Sequence, residues 1–187
     1  MARRLLTIAA LLTPFALAPH VGARPGEGGG WLQAVPIAPG LWRGRAPYLP
    51  RHYEELRRLG VRTVLDIRGN QPLASAYERR RAEAHGLVYR HVPMGFRPLR
   101  DGSGERVLAA LQNQADYPLY VHCNVDRDRT SAVVGVCRVC VDGWSLEAAE
   151  AEARWFGIRR RFVGLNRYLW IRGAECERGR MAAAGMR

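Results

Sequence analysis

A chain of 187 residues, 48% hydrophobic and 25% charged, has room for one ordinary domain with its own apolar core plus a short leader. That excludes two full domains and wholesale disorder. All 29 basic residues are arginine, set against 17 acidic ones, and the resulting +12 suits planar, bidentate contacts with phosphate. The arginines are scattered and not gathered with aromatic residues, which argues against a nucleic-acid partner.

In chain order, Arg3 and Arg4 precede an apolar stretch over residues 5–18, and small residues with cleavage sites after Ala18 or Ala23 follow. This is the layout of a secretory signal peptide over residues 1–23, and it is too short for a comfortable transmembrane helix, which needs about 20 apolar residues. The expectation is a periplasmic or secreted protein with no stable membrane insertion once the signal is removed; an uncleaved anchor is the alternative. Residues 24–30 (RPGEGGG) read as a linker. The domain is expected over residues 31–173, and residues 174–187, small and polar, read as a flexible tail.

Within the domain, strand and helix patterns alternate. Residues 41–43 form a short strand, and Pro50 opens a helix that carries Tyr53, Leu56 and Leu59 on one face and stops at Gly60. Residues 61–67 (VRTVLDI) have the β-branched, apolar character of a buried strand. A charged helix over 76–85, a strand over 87–92, a helix over 105–114 and a strand over 118–122 follow. Then come an apolar helix over 130–141, a helix capped by Ser145 and a last helix over 165–171. The alternation predicts an α/β fold with a central, mostly parallel sheet flanked by helices, whose ligand site lies beyond the carboxyl ends of the strands.

The strand over 118–122 runs into His122-Cys123-Asn124-Val125-Asp126-Arg127-Asp128-Arg129-Thr130. A short loop between strand and helix can turn its backbone N–H groups inward, and with the helix N-terminus they make an anion cradle. The same field favours a thiolate at Cys123. Five intervening residues let Arg129 fold back over the cradle and grip two phosphate oxygens while Cys123 approaches phosphorus. The candidate phosphate-binding residues are Asn124, Val125, Asp126, Arg127, Asp128, Arg129 and Thr130. His122 would orient the loop from behind, and Thr130 could donate to the sulfur. Arg68 follows a strand and could also face the pocket, with Arg43, Arg97 and Arg100 adding positive charge around it. Of the remaining cysteines, Cys137 and Cys140 read as buried structural thiols, and no His accompanies them at zinc-ligand spacing.

On these residues the chain resembles the protein-tyrosine and dual-specificity phosphatase superfamily, whose signature is H-C-x-x-G-x-x-R-[ST]. The blocks LWRGRAP, VRTVLDIRGN, LVYRHVPM and GWSLEAAEAEARWFG resemble small bacterial members, and the likeness extends over about residues 41–157. It also touches the fungal and plant enzymes that act on inositol pyrophosphates. The resemblance implies a phosphatase without metal or other cofactor, working through a cysteinyl phosphate. Its substrate is expected to be a phosphorylated protein (phosphotyrosine or phosphoserine/threonine) or an inositol phosphate. Two aspartates could protonate the leaving oxygen: Asp101, in the loop where the family places its acid, and Asp128, which stands just before the arginine as in the myotubularin and Sac-type lipid phosphatases. Asp126 stands where the family has glycine. Its carboxylate would repel phosphate unless it turns outward or pairs with Arg127, so a phosphate-binding protein with weak or no catalysis is a further reading.

Overall fold

The computed structural model describes residues 30–185. The expected signal peptide and nearly all of the linker lie outside these residues. Five strands form one sheet: β1 (Val35–Ala38), β2 (Leu41–Gly44), β3 (Thr63–Asp66), β4 (Val88–His91) and β5 (Leu119–His122). Their order is β1-β2-β5-β3-β4, parallel throughout except for the β1–β2 pair. The α/β architecture is therefore the one expected. The extra strand β1 carries Pro36 and ends at Pro39-Gly40, and so lacks a strand-like alternation. It sits at the sheet edge, where proline is tolerated, and Gly40 (φ +71°) makes the turn into β2.

Every residue of β3 and β5 is buried because both faces of the sheet are covered. Side chains alternate across it. Val64 and Tyr120 meet Tyr53 and Leu56 of α1 (Pro50–Arg58) and Ala82 of α2 (Pro72–Ala84). Leu65 and Val121 belong to the larger core on the other face. That core is completed by α4 (Ser103–Gln112), α5 (Asp128–Cys140), α6 (Leu146–Trp155) and α7 (Val163–Ala183). A single turn, α3 (Pro98–Asp101), precedes α4, and Gly102 in the left-handed region separates the two. Ser145 caps α6 as expected, its hydroxyl accepting from the Ala148 N–H at 3.2 Å.

Helix α5 is buried almost all round, between the sheet and α4, α6 and α7. Its Gly135 lets α7 approach: a Cβ there would lie 2.6 Å from a Leu169 methyl. Two expectations are corrected on this side of the molecule. Residues beyond 173 do not leave the fold as an irregular tail, because α7 continues to Ala183. Cys140 is also not a free thiol: it is disulfide-bonded to Cys176, which ties α5 to the second half of α7, while Cys137 stays free and buried. The Arg180 guanidinium donates to the carbonyls of Val139 and Trp144, and Glu177 accepts from the Leu146 N–H at 3.1 Å. These polar ties replace the apolar periodicity that this half of the helix lacks. Among the described residues no helix is long and apolar enough to cross a membrane.

Candidate active site

Strand β5 delivers Cys123 to the carboxyl edge of the sheet, and α5 starts at Asp128. The intervening loop closes on the first turn of that helix: the Cys123 N–H donates to Thr130 Oγ1 at 3.1 Å. Thr130 therefore holds the backbone of the cysteine, where the expectation was a contact with its sulfur. Among the described residues no hydrogen bond engages the backbone N–H groups of Asn124, Val125, Asp126 or Arg127. Together with the orphan donors at the start of α5 they form a set of donors without acceptors.

Arg129 projects from that first turn to the neighbouring strand ends. Its Nε donates to the Met94 carbonyl at 2.8 Å, and its guanidinium carbon lies 4.0 Å from the centroid of the Phe96 ring. Its Nη2 is 3.4 Å from where a Cβ would stand at Gly69, so the loop after β3 also walls the site. Burial lowers the pKa of this guanidinium below its ordinary value, without removing its charge at neutral pH.

Asp126 has φ +50° and is buried, so it takes the left-handed conformation that glycine usually supplies. Its carboxylate pairs with Arg43, and this corrects two expectations. Arg127 is not its partner, and Arg43 is not a surface charge around the pocket but a fully buried one on β2. Both carboxylate oxygens lie 3.0 Å from Arg43 Nε, while Arg43 Nη2 donates to the Asp126 carbonyl at 3.3 Å and to Ser131 Oγ at 2.8 Å. The guanidinium lies 3.6 Å from the centroid of the Phe156 ring. Burial pushes the Asp126 carboxyl up to about 6, with Arg43 opposing the rise. Near neutral pH the negative charge placed where glycine is usual is thus matched from below.

Behind the loop lies a buried network that the charged pattern of α2 does not reveal. Glu78 reaches in from α2, its Oε1 2.7 Å from His122 Nε2 and its Oε2 2.5 Å from Arg68 Nη2. Arg68 also binds both oxygens of Asp66, at 2.9 and 2.7 Å, and Tyr89 donates its hydroxyl to Asp66 at 2.7 Å. Arg68 was expected at the pocket; its side chain is instead turned beneath it, because Asp66 and Glu78 compensate its charge there. Burial would lower the pKa of His122, but Glu78 and then Asp66 outweigh it and raise the ring to about 9. Two carboxylates thus face two cations. The charged imidazole donates from Nδ1 to the Cys123 carbonyl at 2.8 Å, which fixes the peptide next to the sulfur.

The two candidate acids have different surroundings. Asp101, at the end of α3, accepts the Ser103 N–H at 2.8 Å. Its Oδ2 lies against Gly95, where a Cβ would collide with it, one residue from the Met94 carbonyl that holds Arg129. Burial would raise its pKa slightly, but the Ser103 contacts hold it below the ordinary value. Asp128 is turned the other way: Arg159 binds its carboxylate with Nε at 3.1 Å to each oxygen and Nη2 at 2.5 Å, and the Arg159 N–H adds a bond at 2.9 Å. The neighbouring Arg127 is only 3.8 Å from Asp128, and its guanidinium is partly exposed. Among the described residues no group of three or more His, Cys, Asp or Glu is placed to hold a metal ion.

A cysteine at the carboxyl end of a central parallel strand, followed after five residues by an arginine on a helix N-terminus, is the arrangement of the cysteine-dependent phosphatases. The chain belongs to the tyrosine phosphatase family, whose model matches residues 32–171. It is 30% identical over 135 residues to the OCA1 protein of Yarrowia lipolytica, whose name marks it as a candidate tyrosine-protein phosphatase. That match spans 69% of this chain but only 52%, about half, of the Yarrowia protein. The OCA1 protein of Mycosarcoma maydis is 29% identical over 116 residues, covering 60% of this chain and 69% of its own length. Among solved structures, Pseudomonas aeruginosa TpbA superposes with a TM-score of 0.65 at 24% identity, covering 82% of this chain and 91% of its own. The catalytic core of the PP-IP phosphatase SIW14 of Saccharomyces cerevisiae gives 0.59 at 20% identity, covering 72% and 82%. At such identities these structures establish the fold.

Proposed function

We propose that the protein hydrolyses phosphomonoesters through a covalent cysteinyl phosphate on Cys123. The observation that carries this reading is the loop itself: a cysteine at the strand end, unengaged N–H groups after it, and Arg129 folded back beside them. The Cys123 thiolate attacks phosphorus as the bond to the leaving oxygen breaks, and that oxygen takes a proton from a carboxylic acid. Water then attacks phosphorus as the S–P bond breaks, the same carboxylate takes its proton, and thiolate and inorganic phosphate are released. Arg129 and the loop amides hold the charge on the equatorial oxygens throughout.

Asp101 is the acid we favour. Its loop touches the wall that carries Arg129, whereas Asp128 is occupied by Arg159. A dianionic ester in the cradle would raise the Asp101 pKa and favour its protonated form. The pairing of Asp126 with Arg43 supports hydrolysis over a reading in which phosphate is bound without being cleaved.

The substrate we favour is a phosphorylated protein; TpbA has been solved with phosphotyrosine bound. SIW14, a PP-IP phosphatase of comparable likeness, supports the inositol phosphate reading. Export to an oxidising compartment is consistent with the Cys140–Cys176 disulfide, and the low exposure of Cys123 would protect its thiolate there. Hydrolysis of p-nitrophenyl phosphate by the purified protein, with and without chelator and with a Cys123→Ser control, tests the reading. Turnover that persists in the control would refute it.

A further inference from the structure

Several arginines of the helical face bind carboxylates. Arg138 binds Glu152 and Asp142, Arg172 binds Glu105 and Glu175, and Arg154 pairs with Glu150. Arg97, Arg100 and Arg167 are among those that do not. Among the described residues none of the three guanidiniums has a hydrogen-bond or ion-pair partner, yet all three line one cleft of about 400 Å³ with Leu99, Val163 and Gly164. The nearest acidic residue in sequence, Asp101, is directed to Ser103 and Gly95. Three like charges around one concavity repel one another, and an anion seated among them would remove that cost.

The cleft adjoins the catalytic arginine through the Phe96 segment. Arg129 lies over Phe96, the residue before Arg97, and Phe96 stacks on Phe162 at 4.9 Å with the ring planes 9° apart. The first turn of α7 is pressed on the same segment: a Cβ at Gly164 would collide with the Phe96 carbonyl. Residues 96–97 and 162–164 therefore form one packed wall, which Arg129 meets at Phe96 and the cleft meets at Arg97, Val163 and Gly164. The favoured acid, Asp101, belongs to the same short segment as Arg97 and Arg100.

From this we infer that Arg97, Arg100 and Arg167 form a second anion subsite, which takes another phosphoryl group of the same substrate while Cys123 and Arg129 engage the scissile one. The inference rests on the phosphatase reading for its scissile site, but not for its own binding energy. Arginine forks match phosphoryl oxygens in pairs, and a charge-assisted hydrogen bond is strong enough that one engaged guanidinium corresponds to about tenfold or more in affinity. The second phosphoryl group could sit on a neighbouring residue of a peptide or on the ring of a polyol. Both present the same oxygens to the cleft.

The test is binding to the Cys123→Ser protein, followed by calorimetry, so that it does not depend on turnover. One arm compares a doubly phosphorylated tyrosine peptide with its singly phosphorylated counterpart; the other compares inositol hexakisphosphate with an inositol monophosphate. The inference expects a preference of about tenfold or more for the multiply phosphorylated ligand in at least one arm. It also expects that preference to collapse when Arg97→Gln, Arg100→Gln and Arg167→Gln are added, with a thermal melt to check folding. The arm that shows the preference identifies the source of the second phosphate. No preference in either arm overturns the inference whatever the variants do, and so does a preference that survives the triple substitution. Failure of the phosphatase reading is seen separately, as absent turnover of p-nitrophenyl phosphate by the unmutated enzyme.

Discussion

Replacing Glu78 by Gln removes the negative charge that holds His122 protonated behind the loop, and the size of the effect follows from the network. His122 is raised from the ordinary 6.5 to about 9, a gap corresponding to about 3 kcal/mol between the charged and neutral ring. Because the folded value lies above the unfolded one, this contribution is fully present below pH 6.5 and is lost as pH rises through 9. Without Glu78, burial dominates the ring, and its pKa falls toward or below the ordinary value. Glu78→Gln should therefore cost about 3 kcal/mol near pH 6 and distinctly less above pH 9. Urea unfolding of both proteins across this range gives the comparison. Differencing the two cancels groups that titrate alike in both. A loss that is the same at every pH would refute the reasoning, because it would mean that Glu78 acts by packing and not by charging His122.

Asp126→Gly restores the family's usual residue and relieves the positive φ, yet it strands the buried Arg43. It should destabilise by about 3–5 kcal/mol in urea unfolding, and adding Arg43→Met should recover much of the loss. Asp101→Asn should slow hydrolysis of phenyl phosphate roughly a hundredfold or more but that of p-nitrophenyl phosphate much less, since p-nitrophenolate leaves without a proton. Asp128→Asn should show no such dependence on the leaving group and should instead destabilise the loop held by Arg159; steady-state kinetics with the two esters decides between them. Cys140→Ser opens a disulfide spanning 36 residues and should cost about 4 kcal/mol, which unfolding with and without reductant measures.

The parts of the fold readable from sequence were those with a local signal. The β-branched run at 61–67, the apolar strand before His122 and the Ser145 cap each carry one, and so does the five-residue spacing from Cys123 to Arg129. Pairings across long stretches of chain carry none. Arg43 and Asp126 are 83 residues apart, and only the oddity of a carboxylate at a positive-φ loop position hints that a buried cation must answer it. Glu78 lies among the charges of a helix whose exposed face hides its one inward carboxylate. The second half of α7 was illegible for a different reason: a disulfide and backbone-directed arginine contacts hold it, and neither leaves a hydrophobic period.

The central claim is that Cys123 becomes covalently phosphorylated. Acid quench of the enzyme during turnover of an aryl phosphate, followed by mass analysis of its peptides, tests this most directly. The account predicts the mass of one phosphoryl group on the peptide carrying Cys123, absent from the Cys123→Ser protein, which should also show no turnover. Phosphoryl label on another residue, or undiminished turnover by the serine variant, would contradict it.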